Sequence, residues 1–590
     1  MCGIAGFVSF TGARPAPWLR ERVTRMLRAL AHRGPDDEGI FLSPDGRVAL
    51  GHRRLSIIDL SAAGHQPMAT SDGRGWLTFN GELFDHRALR SALGAYRFRS
   101  DTDSEVLLAL LHGAEDPAQA LPRLNAMFAL AYYDTHRGKL LLARDHFGIK
   151  PLCYAVHDGG LWFASEPQAL AATGTIELRL DAADFALKAA TRMEAEGDSS
   201  WFAGVRQLPP AHYLEVDPDR GPTSPRRYWI PDTGDADVQP AQVLDTFLGA
   251  VRARQHADVP RAAFLSGGLD SSAIVSALAD LNTDVLPCII TYQPDHPAIQ
   301  EDVAHARLVA QWKRLPHELV QVRADELLAL TAATTERVAR PSVHGAELAM
   351  YCAYRRIAEL GRTVVFSGHG ADECWGYQDG LYFPILAPDF RPDMHSPYYL
   401  RKHLYQDHPA GWYVFLRRWL YPALGVTDAQ VEEAIWERAL AAYRELDTID
   451  PQQRARYHMC RRFLVYVNHM VDALSMGWSL EDRPVFQDID LVQMSFATPE
   501  YRKNREGPTG FKPFLKQALR PLLPEEVIMR PKVGFQPPIH DALRQPCIAA
   551  LRQGLPFGLS IPAAELEQMP YTQLFFLLST RIWLDRFGLA

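Results

Sequence analysis

The run Phe264-Leu265-Ser266-Gly267-Gly268-Leu269-Asp270-Ser271-Ser272 constrains this chain more than any other stretch. The small and apolar residues Arg261 to Leu265 read as a short strand ending in a Ser-Gly-Gly turn, after which Leu269, Ile274 and Leu278 open a helix. A strand, a glycine turn and a helix N-terminus gather several free backbone N–H groups and the positive end of a helix dipole at one point. Gly267 and Gly268 let the backbone approach a phosphate, while Ser266, Ser271 and Ser272 add hydroxyl donors. Asp270 is out of place in an anion site until a Mg²⁺ ion is set between it and the phosphates. The run therefore predicts nucleotide pyrophosphate binding, against the plainer alternative of a β–turn–α connection without a ligand. It lacks the Gly-Lys-Ser/Thr ending of a Walker loop.

A chain of 590 residues has room for roughly two to four domains. Its net charge of −8, with no basic block, speaks against nucleic acid as a partner. Cys2, Cys153, Cys288, Cys352, Cys374, Cys460 and Cys547 show no C-x-x-C spacing, which argues against a zinc site or a disulfide framework and suits a reducing cytosol. No apolar run is long enough to span a bilayer and no basic segment precedes an apolar one at the start, so a cytoplasmic protein without a membrane partner is expected.

At the N-terminus stands Met1-Cys2-Gly3-Ile4-Ala5-Gly6-Phe7. Removal of Met1 would leave Cys2 with its own α-amine, of reference pKa about 7.7–8.0, as a general base for the thiol. Nucleophile and base then sit on one residue. An amphipathic helix (Val23, Met26, Leu27, Leu30) leads into a turn, Ala31-His32-Arg33-Gly34-Pro35-Asp36-Asp37. Gly51 to Asp59 reads as a strand carrying Arg54, and Trp76-Leu77-Thr78 reads as a strand entering a turn at Phe79-Asn80-Gly81-Glu82. Ser100 to Glu105 starts a helix with acidic N-terminal residues.

In this order the segments M-C-G-I-A-G, H-R-G-P-D, R-L-S-I-I-D, N-G-E and D-S-E resemble class II glutamine amidotransferases, and specifically the glutaminase half of asparagine synthetase. The resemblance implies a glutamine site in which Arg54 holds the α-carboxylate in a bidentate fork, with Ile58 beside it, and Glu82 and Asp103 take the α-ammonium. Asn80 and the Gly81 N–H would form the oxyanion hole for the adduct on Cys2. L-N-A-M-F-A-L (124–130), A-R-D-H-F-G-I-K-P-L (143–152) and F-A-S-E (163–166) resemble further family segments and read as structural strands and turns. Pro, Asp, Gly and Thr between 216 and 240 mark a linker.

The glycine turn at 266–268 in turn resembles the PP-loop of ATP pyrophosphatases, enzymes that cleave ATP to AMP and pyrophosphate. Val285 to Tyr292 reads as a second buried strand and Glu301 to Trp312 as a helix, a spacing that implies a parallel sheet with right-handed crossovers. Phe264 and Ile290 match positions that flank the adenine. Val364-Val365-Phe366-Ser367-Gly368-His369-Gly370-Ala371-Asp372-Glu373 resembles the family's S-G-E-G-x-D-E segment, which implies Ser367 and Gly368 at ATP and Asp372 as a second Mg²⁺ ligand beside Asp270. His369 replaces the family glutamate next to the acyl-adenylate; a neutral imidazole can still take a proton from the attacking amine. Arg340 before Pro341 also departs from the usual acidic residue, so aspartate and another carboxylic acid both stay open as acceptor.

From Gly376 to Tyr457 the chain is rich in aromatic residues (Tyr382, Phe383, Tyr398, Tyr399, Trp412, Trp419, Trp436), which would pack a helical subdomain or line a larger acceptor pocket. Asp472 to Arg483 resembles the family's D-x-x-S-M-A-x-S-L-E-x-R helix, and Phe511-Lys512 and Arg530-Pro531-Lys532-Val533-Gly534-Phe535 match its C-terminal signature. Lys532 is thereby implied to neutralise charge on the departing pyrophosphate.

The expected architecture is an α+β N-terminal-nucleophile αββα sandwich (1–215), a linker (216–240) and an α/β PP-loop domain with helical additions (241–590). The expected reaction uses glutamine, ATP and Mg²⁺. Cys2 frees ammonia, an acceptor carboxylate becomes an acyl-AMP, and ammonia passing through an internal channel displaces AMP to give an amide. A β-lactam synthetase-like cyclase is the alternative, although such enzymes typically lack a working Cys2. A homodimer stays open.

Overall fold

Period-two alternation in the strand Gly3–Ser9 sends Ile4 and Val8 one way and Ala5 and Phe7 the other, and two layers of core follow from it. A computed structural model describes all residues except 1, 192–197, 235, 294–295, 343–344, 377–411, 447, 449, 500–502, 504–511, 532–538 and 590. Ile4 and Val8 meet Ala129, Tyr133 and Leu140 between two facing sheets. Phe7 packs outward on Trp18 and Trp162, with ring centroids 5.6 and 4.2 Å away. There the helix Ala16–Ala29 lays its buried stripe of Leu19, Val23, Met26 and Leu27 on the sheet.

Both sheets are antiparallel. The first runs Arg206–Gln207, Cys153–His157, Gly160–Ala164, Gly3–Ser9, Val48–Arg54, Asp37–Leu42. The second runs Gly221–Pro222, His212–Asp217, Lys139–Arg144, Ala126–Asp134, Gly75–Leu83, Met68–Ala69, with Arg226–Arg227 also paired to His212–Asp217. The helix Asp103–Gly113 covers the outer face of the second sheet through Val106, Leu107 and Leu111. It is capped by Thr102, whose hydroxyl accepts from the Glu105 N–H at 3.3 Å. This is the αββα sandwich of the N-terminal-nucleophile fold.

The remainder is built on a five-stranded parallel sheet in the order Glu318–Arg323, Val285–Gln293, Arg261–Phe264, Val364–Ser367, Glu481–Pro484. Strand order reverses between Arg261–Phe264 and Val364–Ser367, which pair with each other although they lie far apart in sequence. Open α/β sheets bind ligands at such a switch point, outside the carboxyl ends of the strands. The Ser-Gly-Gly turn and the segment 367–370 both leave the sheet there. The α/β PP-loop layout anticipated for this half is what the chain adopts.

Four local expectations need correction. The stretch around Asn80 is no turn: Gly75–Leu83 is one strand, zipped along its whole length to Ala126–Asp134. The strand around Arg54 ends at that residue, because its guanidinium donates to the carbonyls of Ile58, Asp59 and Ser61 and folds 55–61 back as a loop. The Asp472 helix, Val465–Met476, stops at Met476; Ser479 turns the chain with a φ of 53°, and Glu481–Pro484 becomes the last strand of the parallel sheet. The helix expected from Glu301 begins earlier, as Pro297–Trp312, with the proline in its first turn.

The two halves share buried polar contacts. Arg33 and Lys150 both pair with Asp472, at 2.8 and 3.3 Å. Arg254 pairs with Asp488 at 2.6 Å, and Asn125 donates to the same carboxylate at 2.9 Å. Asn468 Nδ2 donates to the Phe147 carbonyl and Ser479 to that of His32.

Candidate active sites

Cys2 enters the first pocket from the start of the central strand. Its backbone N–H donates to Asn80 Oδ1 at 2.9 Å, and its carbonyl accepts from Arg33 Nε at 3.1 Å. The Asn80 side chain therefore presents its amide nitrogen, buried and without a hydrogen-bond partner, beside Cys2. A buried donor with nothing to bond is costly in a resting protein and useful where an oxyanion forms. Gly81 is required next to it: a Cβ there would lie 2.1 Å from the Met127 carbonyl oxygen on the paired strand. Burial pushes the Cys2 thiol up from its ordinary range, with Arg54 pulling it back.

Of the glutamine-site residues expected from the sequence, Arg54, Ile58, Gly81, Glu82 and Asp103 line this pocket with Cys2, while Asn80 is not in its lining and reaches Cys2 through the hydrogen bond to its N–H. Burial raises both acids: Glu82 lies well above the usual carboxylate range despite Arg483 at 3.3 Å, pushed further by Asp103, and Asp103 is raised as well. Two buried acids side by side disfavour each other's charge, and a cation set between them would favour their ionised forms. Gln66 and Glu481, neither singled out in the sequence, complete the wall. Glu481 is ionised: burial opposes its charge, but Arg483 at 2.5 Å holds it down to about 2.

The second pocket is a cavity of about 250 Å³ at the switch point of the parallel sheet. Phe264, Ser266, Gly268, Asp270, Ser271, Ile290, Ser367, Gly368 and His369 line it, all of them anticipated from the sequence. Gly267 turns the loop with a φ of 74°, where a Cβ would strike the backbone of the helix Pro297–Trp312 at 2.6 Å. Ser272 departs from the expectation. It points into the core as the helix winds away, and its hydroxyl is buried outside the pocket. The walls also hold Lys512, Lys516 and Arg530. Arg530 donates to the Gly267 carbonyl at 3.2 Å and so ties a third cation to the loop.

Asp270 and Asp372, one from each side of the switch point, converge on Lys512. Its ammonium lies 3.0 and 2.9 Å from the two oxygens of Asp270 and 2.6 Å from Asp372. Two carboxylates already sharing one cation are a hard-oxygen set that fits Mg²⁺. His369 stands at the pocket mouth with its Nε2 buried and without a hydrogen-bond partner. Burial lowers its pKa, partly offset by Asp482 and Asp372 nearby, so the ring is neutral. Lys532 lies outside the described residues, as do Tyr382, Phe383, Tyr398 and Tyr399. Arg340 is not at the pocket: it is fully buried against Glu347, which also accepts from Ser342 and Tyr466.

One four-residue strand lines the Cys2 pocket and bonds to a wall residue of the second pocket. In Glu481–Pro484 Glu481 lines the Cys2 pocket and Arg483 pairs with Glu82 of that pocket, while Asp482 between them turns to the other side. There it accepts from Ser367 Oγ at 2.5 Å and from Tyr354 OH at 2.7 Å. Sequence reasoning missed these residues because the tripeptide Glu-Asp-Arg was read as the tail of a helix. Its alternation was the available signal.

Residues 1–229 match the family model described as a glutamine amidotransferase domain, and residues 242–560 the one described as asparagine synthase. The chain is similar to amidase chry2 of Gibberella zeae, at 31% identity across 66% of this chain and 61% of that protein, so it spans less than two thirds of that relative's length. It is also similar to two Bacillus subtilis proteins named asparagine synthetase [glutamine-hydrolyzing]. Number 1 is 28% identical across 92% of this chain and 88% of its own length, and number 3 is 29% identical across 91% and 87%.

Proposed function

As this chain belongs to the asparagine synthase family and carries a glutamine amidotransferase domain in front, we propose that it is a glutamine-dependent, ATP-driven amide synthetase. Glutamine enters the first pocket with its α-carboxylate toward Arg54, beside Ile58, and its α-ammonium toward Glu82 and Asp103. With Met1 removed, the Cys2 thiol passes its proton to its own amine and attacks the side-chain amide. Asn80 Nδ2 and the Gly81 N–H take the charge that develops on oxygen. The C–N bond breaks, ammonia leaves with the transferred proton, and water later releases glutamate from the thioester.

In the second pocket the Ser266–Ser271 turn holds the phosphates of ATP, with the adenine between Phe264 and Ile290. Asp270 and Asp372 would hold a Mg²⁺ ion, which when bound neutralises charge on the β- and γ-phosphates. An acceptor carboxylate displaces pyrophosphate to give an acyl-AMP. Ammonia then expels AMP, with neutral His369 placed to take a proton from the attacking nitrogen. Lys532 would neutralise the leaving pyrophosphate. The observation that carries this reading is the strand Glu481–Pro484, which walls the Cys2 pocket with one side chain and is bonded to Ser367 of the nucleotide pocket by the next.

ATP–pyrophosphate exchange across a panel of carboxylic acids, aspartate included, tests it. Exchange with at least one acid is expected, lost in Asp270→Ala and retained in Cys2→Ala. Strong exchange with aspartate would make asparagine the product and exclude a specialised acceptor. Exchange that survives Asp270→Ala would remove the proposed metal ligand.

A further inference from the structure

Lys512 was legible only as part of a C-terminal signature, yet the structure puts its ammonium on the two carboxylates proposed to bind metal. It is 1% exposed, against 17% for Asp270 and 29% for Asp372. It contacts both Asp270 oxygens and one of Asp372. Lys512 has a left-handed φ of 51° at the start of the helix Pro513–Leu519, and a non-glycine residue keeps that conformation only where its surroundings enforce it.

We infer that Lys512 is a built-in counterion that competes with the divalent cation for Asp270 and Asp372. The ammonium takes up both Asp270 oxygens and one of Asp372, so ion pair and metal ligation compete for the same carboxylates. Two carboxylates this close repel strongly without a cation between them, and Lys512 supplies one. A bare divalent ion must displace a buried ammonium from both carboxylates. A nucleotide-bound ion brings its own phosphate oxygens, which give the displaced ammonium a new partner. The site is thereby selective for metal that arrives with nucleotide. Lys516, one helical turn on, donates to the Arg530 carbonyl at 3.2 Å and also feels the Asp270 charge, while Lys512 makes the direct contacts to both carboxylates.

This rests on the proposed metal role of Asp270 and Asp372, and one experiment separates the two claims. Mn²⁺ binding is measured by the loss of the free-ion EPR signal, with and without a non-hydrolysable ATP analogue. The proteins are the wild type, Lys512→Met, Lys512→Arg and the double variant Lys512→Met/Asp270→Asn. For Mn²⁺ alone we expect Lys512→Met to bind at least tenfold tighter than the wild type, Lys512→Arg to stay at the wild-type value, and the double variant to lose the gain. Equal affinity of wild type and Lys512→Met for Mn²⁺ alone, while the wild type binds Mn²⁺ with nucleotide, would overturn the counterion role and leave the metal site standing. Absence of Mn²⁺ binding in every protein, with nucleotide present, would overturn both. If Lys512→Met does not fold, Lys512→Gln replaces it in the same comparison, and an unchanged affinity there is equally decisive.

Discussion

Around one sulfur the surroundings decide the chemistry. Burial holds Cys2 as a thiol, so its activation falls to a base at hand, and the amide of Asn80 waits beside it with a donor that nothing else in the described residues uses. Cys2→Ala should abolish glutamine-dependent turnover and spare turnover on added ammonia, read as pyrophosphate release. Loss of both would mean that the half-site assignment is wrong. Asn80→Ala should lower kcat for glutamine hydrolysis about a hundred- to a thousandfold, the usual cost of one oxyanion donor. Because the side chain also accepts from the Cys2 N–H, Asn80→Asp keeps that acceptor while removing the donor. It should be equally impaired in kcat with the smaller change in KM. Wild-type kcat in Asn80→Asp would leave the oxyanion hole without its side-chain member.

Most of the strand and helix pattern was legible where one face is buried, as in Gly3–Ser9 or Ala16–Ala29, because alternation and the 3.6 period follow directly from burial. The misreadings share a physical cause. Asn80-Gly81-Glu82 looks like a turn by local preference, but nine paired residues of the strand Ala126–Asp134 override it. Glu481-Asp482-Arg483 looks like the exposed end of a helix, but all three are buried: Asp482 is met by Ser367 and Tyr354 and Arg483 by Glu82, from distant parts of the chain, while Glu481 pairs with Arg483 itself. The nucleotide pocket could be read almost residue by residue, since its loop is contiguous; Lys512, Glu481 and Arg483 could not, since only the fold brings them in. Arg483 anchors that strand between Glu481, Glu82 and the carbonyls of Arg254 and His256. Arg483→Ala would remove the buried cation that pairs with Glu481 and Glu82 and should cost about 3–5 kcal/mol in urea unfolding. A loss below about 1 kcal/mol would mean that the strand is held by something other than this residue.

At the scale of the whole molecule, two buried histidines contribute a loss of stability in acid. Burial holds His146 neutral down to about 4, and burial with Arg461 nearby does the same for His212. Unfolded, both titrate near 6.5. The unfolded chain therefore binds more protons between these values. The stabilising contribution is complete above about pH 6.5 and is lost as pH falls toward 4. Asp85, which burial raises to about 6, acts in the opposite sense, so the test is a difference: toward low pH the thermal midpoint of His146→Phe should fall less, or rise more, than that of the wild type, and identical slopes would contradict the assignment. The larger claim is that nitrogen freed at Cys2 reaches the carboxylate activated at the other end of the strand Glu481–Pro484 without escaping. Its direct measurement uses glutamine labelled with ¹⁵N in the side-chain amide, the acid returned by the exchange screen, ATP, and a large excess of unlabelled ammonium. We expect the amide product to carry ¹⁵N. Product carrying the unlabelled nitrogen of the solvent would show that the two pockets work apart.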